Sequence, residues 1–152
     1  MTASSARALV DANLLVYCYD RADPVKQQRA LETLDALAAT GTGALSTQVL
    51  GEFFLNVTRK LAEPLSLEDA EGRIEHYLRV WTVLDVTARV VREAVRGVRA
   101  HGFHYWDAQI WAVARLHGIP LVLSEDFNDG AVLDGVRFRN PLRPGFRLPE
   151  WR

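Results

Sequence analysis

The sequence has a single cysteine, Cys18, so no disulfide can form within the chain. Cys18 ends the apolar segment 14–18, where a small buried side chain is a more common role than a reactive thiol. No uninterrupted hydrophobic run approaches the roughly 18 residues that a membrane-spanning helix needs. Residues 1–7 also lack the basic start and apolar centre of a signal peptide. We therefore expect a cytoplasmic protein with no membrane partner.

The chain also lacks a strong charge of either sign. Its 18 basic and 19 acidic residues give a net charge of −1, which argues against a protein that coats nucleic acid through bulk charge. A local basic patch is not excluded, because nearly all of the basic residues are arginines, which suit phosphate recognition. A GC-rich genome produces the same bias toward arginine.

The 152 residues, 49% of them hydrophobic, fit one domain with a full core. Short apolar segments alternate with helical periodicity along the chain. The predicted strands are 7–10, 44–46, 81–84, 120–124 and 136–138. The predicted helices are 24–39, 47–61, 66–79, 87–100 and 105–117. This alternation predicts an α/β fold with a mostly parallel sheet covered by helices on both faces.

Two acidic residues follow predicted strands directly. Asp11 comes after the first strand, and Asp126 lies two residues beyond the apolar strand 120–124. Functional sites in open parallel sheets form at the carboxyl ends of the strands. Both carboxylates should therefore project from the same edge of the sheet.

The hydrophobic pattern points less directly to Asp107 and Glu52, which lie on predicted helices. On a helix, Asp107 shares a stripe with Ile110 and Trp111, where a carboxylate is unusual unless it is paired or binds a metal. The alternative is an acid in the first turn of its own helix, stabilised by the helix dipole. Periodicity places Glu52 with Gln48 on the polar side of its helix, which by itself favours a solvated residue.

Carboxylates gathered at one edge repel one another, and a hard divalent cation such as Mg²⁺ holds such clusters together. The chemistry that suits this arrangement is metal-assisted attack of water on a phosphodiester. The sequence contains no phosphate-binding glycine-rich loop and no paired cysteines or histidines at zinc spacing. For His101 and His104, which flank the start of the helix that bears Asp107, a structural or surface role is the more common one.

Four segments of the sequence, in order, resemble the PIN domain family, and specifically the VapC-like toxin ribonucleases of toxin–antitoxin pairs. They are VDANLLVY at 10–17, STQVLGEFF at 46–54, YWDAQIW at 105–111 and SEDFNDG at 124–130. The closing segment GVRFRNP at 135–141 also resembles this branch. The resemblance implies a three-layer α/β/α sandwich, with a nuclease domain over 7–145 and flexible or surface-wrapping termini at 1–6 and 146–152.

The resemblance also implies a site and an activity. Asp11, Glu52, Asp107 and Asp126 would form the catalytic carboxylates, and Asp11, Asp107 and Asp126 would bind Mg²⁺ or Mn²⁺. Asn13 would orient the first acid or a metal-bound water, and Asp129 would be a further ligand through water or a surface acid. The implied activity is endonucleolytic cleavage of RNA, with a cognate antitoxin and a second copy of the chain, in a homodimer, as partners.

Two groups of arginines are candidates for contact with RNA phosphates or with antitoxin acids. One lies on a stripe of the predicted helix 87–100 and consists of Arg89, Arg92, Arg96 and Arg99, opposite Val91, Ala94, Val95 and Val98. The other lies in the tail and consists of Arg137, Arg139, Arg143, Arg147 and Arg152. For the helix, a solvated polar face is the alternative interpretation.

Other classes of protein also place acids at strand ends. A phosphatase related to haloacid dehalogenases would carry a second acid two residues after Asp11, where this sequence has Asn13. A receiver domain would have paired acids after the first strand and a lysine after the last one, and neither is present. A PIN-like module that keeps the fold without catalysis is the non-enzyme alternative, and the four intact acids argue against it.

Overall fold

The computed structural model describes residues 5–150, and within that range it contains six strands and six helices. The strands are β1 (Ala8–Val10), β2 (Gly43–Ser46), β3 (Thr82–Leu84), β4 (Leu121–Leu123), β5 (Val132–Leu133) and β6 (Val136–Arg139). The helices are α1 (Ala12–Tyr17), α2 (Pro24–Thr40), α3 (Thr47–Arg59), α4 (Leu67–Val80), α5 (Ala88–His101) and α6 (Tyr105–Leu116).

Two of these elements, α1 and β5, have no counterpart among the predicted ones. Helix α1 has six residues, which is under two turns and too short to show a helical period. Strand β5 has two residues and no buried side chain, so it carries no alternating pattern. The other elements lie within a few residues of their predicted positions.

The six strands form one sheet in the order β3-β2-β1-β4-β6-β5. All neighbouring pairs are parallel except β5 and β6, which are antiparallel. The chain builds outward from β1 to β3 and then returns to place β4 on the other side of β1. The strand order therefore reverses between β1 and β4, and the crevice at their carboxyl ends is where ligands bind in sheets of this type.

Alternate residues of the central strands divide the core into two layers. Ala8 and Val10 of β1 pack against α1 to α4 on one face of the sheet. Leu9 lies on the other face, with α5 and α6. The predicted α/β fold, with a mostly parallel sheet and helices on both faces, is confirmed.

The helices of the first layer begin at polar residues. Asp11 caps α1, and the Ser46 side chain accepts a hydrogen bond from the Val49 amide at the start of α3, at 3.2 Å. Asp23 caps α2, directly before Pro24 at its first position. Such caps satisfy backbone donors that the first helical turn leaves unpaired. Helix α1 can therefore follow β1, and α3 can follow β2, with no long intervening loop. The first turns of α1 and α3 therefore start at the carboxyl edge of the sheet.

Segments at both ends of the described chain are anchored. Ala6 is buried in the second layer, whereas Phe146 and Leu148 pack against the first. The Arg29 guanidinium donates to the Leu142 carbonyl at 2.7 Å and ties the C-terminal segment to α2. The limits predicted for the domain and its termini stay predictions, and residues 1–4 and 151–152 lie outside the described residues. Within the described residues, no helix is long and apolar enough to cross a membrane.

Close packing between α5 and α6 depends on Gly97. The Trp111 ring is fully buried, and its indole nitrogen donates to the Leu133 carbonyl at 3.1 Å. A Cβ atom at position 97 would lie 2.6 Å from Trp111 Cζ3 and 3.3 Å from Phe103 Cδ2. Two rings therefore fill the space that any larger residue would occupy.

We expect Gly97→Ala to destabilise the fold by about 1–3 kcal/mol, because the added methyl group overpacks a buried contact. This loss should exceed the roughly 1 kcal/mol that alanine gains over glycine in a helix. Gly72→Ala in α4 is the matched control, since a Cβ there would meet no atom within 4 Å, and it should be neutral or stabilising. Urea unfolding of both variants measures the difference, and equal stabilisation of the two would contradict the packing.

Candidate active site

Asp11 lies directly after β1, at the point where the strand order reverses. Its side chain is only 3% exposed. Oδ1 accepts a hydrogen bond from the Ala12 amide at 2.7 Å, and Oδ2 accepts one from the Ser124 hydroxyl at 2.7 Å. The carboxylate is therefore fixed between the first helix and the end of β4.

Ser124 connects the residues around this carboxylate. Its oxygen accepts hydrogen bonds from the Asp126 amide at 3.1 Å and from Asn13 Nδ2 at 3.2 Å. Asn13 Nδ2 also donates to Asp126 Oδ2 at 3.1 Å. No role for Ser124 was predicted from the sequence. Its position at the end of a buried strand, just before two acids, could have indicated one.

The pKa values show how the carboxylates affect one another. The pKa of Asp11 is raised to about 7, mainly by burial. The charges of Glu52 and Asp126 add to this rise, and the hydrogen bonds from Ser124 and Ala12 oppose it. Partial burial, followed by the charge of Asp126, raises the pKa of Asp107, whereas His104 lowers it. Ionising these groups together is unfavourable, because like charges in one cleft repel one another.

Glu52 lies in the same cleft as Asp11 and Asp126, so it is not a merely solvated residue. Gln48 Nε2, one turn earlier in α3, donates to Glu52 Oε1 at 2.9 Å. Gln109 Nε2 of α6 donates to Gln48 Oε1 at 2.6 Å, and the Tyr105 hydroxyl donates to Gln109 Oε1 at 2.9 Å. A chain of hydrogen bonds thus runs from α6 to Glu52. Periodicity missed it because Gln109 and Tyr105, which continue the chain beyond Gln48, belong to another helix.

Asp107 lies in the first turn of α6, which begins at His104 without a side-chain cap. The helix dipole therefore favours its charge, as the alternative interpretation proposed. The charge of Asp126 also raises the pKa of its carboxylate. Asp107 is half-buried near the start of the helix, and the seven residues that follow it are all buried. Asp107 is thus both a first-turn acid and a member of the cluster.

The donor set fits a hard cation. Asn13 Oδ1 is buried and accepts no hydrogen bond from any described residue, although it lies beside the acids. Among residues 5–150, no three acidic, histidine or cysteine side chains come together in a group that could hold a metal ion, so these side chains alone do not form a full coordination shell. Oxygen donors in an incomplete shell suit Mg²⁺, because it keeps several of its waters. Asn13 and the carboxylates therefore leave room for a hydrated ion.

Asp129 lies in a different cluster. Its Oδ1 accepts hydrogen bonds from Arg139 Nε at 2.9 Å and from the Asn140 amide at 2.8 Å, and its Oδ2 accepts one from Arg143 at 3.1 Å. These donors lower the pKa of Asp129, and the Asn140 amide has the largest effect. The structure therefore directs Asp129 toward arginines and does not bring it to Asp11.

The four arginines of α5 are exposed, and none lines the acidic cleft. Arg96 donates to Asp134 at 3.1 Å, pairs with Glu93 and lies over the Trp111 ring. The buried side of α5 consists of Val90, Ala94 and Gly97. The predicted apolar side was therefore wrong at Val91 and Val95, which are exposed because the contact with α6 is displaced toward Gly97.

The tail arginines are distributed over several contacts. Arg139 and Arg143 bind Asp129, and Arg137 donates to the Gly130 carbonyl at 3.2 Å. Arg147 lines a surface cavity between α2 and the C-terminal segment, away from the acids. Arg152 lies outside the described residues. Contact of any of these arginines with RNA or with an antitoxin stays a prediction.

The chain is similar to known proteins in sequence pattern and in fold. The family model of the PIN domain matches residues 8–129. No curated protein matches the sequence. The similar solved structures include a toxin–antitoxin complex from Klebsiella pneumoniae, with 20% identity, a TM-score of 0.63 and coverage of 88% of this chain and 97% of that one.

Two further solved structures are similar to this chain in fold. VapC20 from Mycobacterium tuberculosis, described as a toxin that cleaves the sarcin–ricin loop, has 22% identity, a TM-score of 0.57 and coverage of 76% of this chain and 86% of that one. DNA-bound VapBC from Salmonella typhimurium has 15% identity, a TM-score of 0.63 and coverage of 90% and 98%. Asp11, Glu52, Asp107 and Asp126 lie within the matched residues, and the chain belongs to the PIN domain family.

Proposed function

We propose that this chain is a metal-dependent endoribonuclease that uses Mg²⁺ or Mn²⁺. The observation that carries the proposal is the buried carboxylate of Asp11, which lies among other acids at the reversal of strand order. Beside it lies Asn13 Oδ1, which has no hydrogen-bond partner among residues 5–150. A buried carboxylate with no cation partner is costly in a protein interior. The cost is explained if the site exists to bind a cation.

The residues of the cluster have separate roles in this proposal. Asp11, Asp107 and Asp126 would hold the cation, with Asn13 Oδ1 as a further oxygen. When bound, such a cation activates a water and stabilises the negative charge of the leaving oxygen. Ser124 holds Asp11 in one orientation, and the Asn13 amide nitrogen does the same for Asp126. Such outer hydrogen bonds support metal binding and activity.

Glu52 is the proposed proton acceptor. Its Oε1 is engaged by Gln48, which leaves Oε2 to take the proton of the attacking water. The chain of hydrogen bonds through Gln109 and Tyr105 fixes Gln48 and, with it, the carboxylate. A proton acceptor must be held within hydrogen-bonding reach of its water, and this network provides that restraint.

The biological role that we propose is that of the toxin in a toxin–antitoxin pair, with RNA as substrate and a cognate antitoxin as the inhibiting partner. The similar structures include toxin–antitoxin complexes, and one similar protein is described as cleaving the sarcin–ricin loop. We further propose a homodimer and a cytoplasmic location, by analogy with such pairs.

A PIN-like module without catalysis is the second candidate, and loss of metal binding would favour it. The phosphatase interpretation is weakened by the structure. Asn13, at the position of the required second acid, donates to Ser124 and Asp126 and has no acidic proton to transfer.

Replacing two cluster acids tests the nuclease. We expect the wild type to cut a structured RNA pool in Mg²⁺ or Mn²⁺ and not in EDTA. We expect Asp11→Asn/Asp107→Asn to lose well over 10-fold in rate, because even outer-shell changes at metal sites cost roughly 10- to 100-fold. Gel analysis of the RNA products measures the rates.

Asp85→Asn is the matched control for this experiment, because Asp85 is an exposed acid that follows the edge strand β3 outside the cleft. It should cleave as the wild type does. Titration calorimetry with Mg²⁺ provides a second readout, in which the wild type binds and the double variant does not. EDTA-resistant cleavage, or equal metal binding by both proteins, would contradict the site.

The charge cluster predicts a stability change without metal. The pKa of Asp11 is about 7 in the fold against an ordinary 3.8, so ionisation destabilises the folded state. This cost is absent below pH ~4, grows up to pH ~7 and is complete above it. In EDTA, Asp11→Asn should therefore raise the melting temperature at pH 8, with a gain that shrinks as the pH falls toward 4.

Asp129→Asn should behave in the opposite way, because the pKa of Asp129 is lowered in the fold. Its carboxylate stabilises the fold above its ordinary pKa, and this contribution disappears as the pH falls. The variant should melt below the wild type at pH 7 and approach it at low pH.

For Asp11→Asn, by contrast, a pH-independent drop in melting temperature would count against the cluster.

A further inference from the structure

The cleft that contains the acids extends well beyond them, along α1 and α3. Its volume is about 370 Å³, within the range in which small ligands are enclosed. Asp11, Glu52 and Asp126 line one end. Tyr17 and Lys60 also line the cleft, together with residues that have no role in the proposed cleavage.

The spacing of the lining residues shows the direction of the cleft. On α3, Glu52, Asn56 and the capping residue Lys60 are four residues apart, so they follow one stripe. At 1.5 Å per residue, Lys60 lies roughly 12 Å from Glu52 along the helix axis. On α1, Asn13 and Tyr17 are likewise one turn apart. The two helices therefore form the walls of a channel that leads from the acids to Lys60.

The Tyr17 side chain is held in place by its hydroxyl group. The hydroxyl donates to Glu125 Oε1 at 2.7 Å and accepts from Lys26 Nζ at 3.3 Å. Lys26 Nζ also donates to Glu125 Oε2 at 3.1 Å. Residues from α1, α2 and the segment after β4 thus fix the ring, which is half-buried beside Val16 and Leu61 in the cleft. An immobilised ring loses little entropy when a ligand packs on it.

The described charged residues that line the channel are mostly acidic, with Lys60 as the one cation. Asp11, Asp20, Glu52, Glu125 and Asp126 supply its acids, and Lys26 pairs with Glu125. Lys60 is exposed, lines the far end and forms no ion pair with any described residue. Lys26 and Lys60 are the two lysines of the chain; Lys60 lines the cleft, whereas Lys26 pairs with Glu125 from outside its lining. A phosphate at Lys60 would therefore meet an uncompensated cation.

We propose that this channel is a nucleotide subsite, in which the nucleotide next to the scissile phosphate packs its base against Tyr17 and places its other phosphate at Lys60. The inference rests on the proposed nuclease function and adds the residues that bind the substrate strand. Base stacking on aromatic side chains combined with a cation for the backbone is the general chemistry of single-stranded RNA binding. The Asn56 amide lies between the two ends, where a sugar or a base edge would pass.

Small probes test the subsite without cleavage. They are ribose 5-phosphate, adenosine 5′-monophosphate, adenosine 3′-monophosphate and adenosine 3′,5′-bisphosphate, each titrated in Mg²⁺ and followed by NMR chemical shifts. Adenosine 5′-monophosphate should bind roughly tenfold more tightly than ribose 5-phosphate, because it adds a stacking base. The bisphosphate should bind roughly threefold more tightly than either monophosphate, and salt should weaken this gain.

Variants assign each gain to a residue. Tyr17→Ala should abolish the advantage of the base, whereas Tyr17→Phe, which keeps the ring, should retain most of it. Lys60→Gln should abolish the advantage of the second phosphate and leave that of the base unchanged. Arg59→Gln is its matched control, because Arg59 is the exposed neighbour of Lys60 and does not line the cleft.

The outcomes separate this inference from the function on which it rests. If Mg²⁺ binds and RNA is cut, but the four probes bind alike or Tyr17→Phe loses as much as Tyr17→Ala, the subsite is overturned and the nuclease stands. If Mg²⁺ does not bind to the wild type, the proposed function is overturned, and the subsite with it. Loss of only the predicted gain in each variant, with Mg²⁺ affinity unchanged, would support the subsite.

Discussion

The carboxylate of Asp11 is held out of water at the point where the strand order reverses, and the architecture of the site follows from that constraint. Its two oxygens are satisfied by the Ala12 amide and the Ser124 hydroxyl, which belong to the ends of neighbouring parallel strands. The hydrogen bonds stabilise the charged form, but they do not offset the burial and the neighbouring acids that raise its pKa. A bound cation would remove that imbalance, so the fold holds an acidic site at some cost to its own stability.

Two acids outside the cluster, Asp129 and Asp134, show the contrast. Asp129 and Asp134 have lowered pKa values because arginines, a histidine or a backbone amide donate to them. Arg96 joins α5 to Asp134 in the turn between β5 and β6, and Arg139 joins β6 to Asp129 in the segment after β4. Among residues 5–150, by comparison, no arginine forms a hydrogen bond or an ion pair with Asp11, Asp107 or Asp126. Charge alone therefore does not identify the site, whereas charge without compensation does.

Helices α1 and α3 combine two tasks because of where they begin. Their first turns lie at the carboxyl edge of the sheet and bring Asn13 and Glu52 to the acids, and their later turns form the channel that ends at Lys60. Position along a helix thus becomes distance from the acids. The same geometry that gathers the carboxylates would also provide the path of the proposed substrate strand.

Local sequence patterns were enough to predict the alternation of strands and helices and the acids that end the strands, and the family resemblance singled out Glu52 against its periodicity. These features are local, because strand ends and helix starts are encoded by neighbouring residues. Three contacts became visible only in the folded chain. Ser124 joins Asp11 to Asn13, and Gln48, supported by Gln109, holds Glu52. Asp129 binds arginines. Those outcomes depend on partners that are distant in sequence, and which partner a polar side chain finds is settled by packing across the sheet, because burial penalises every group left without one.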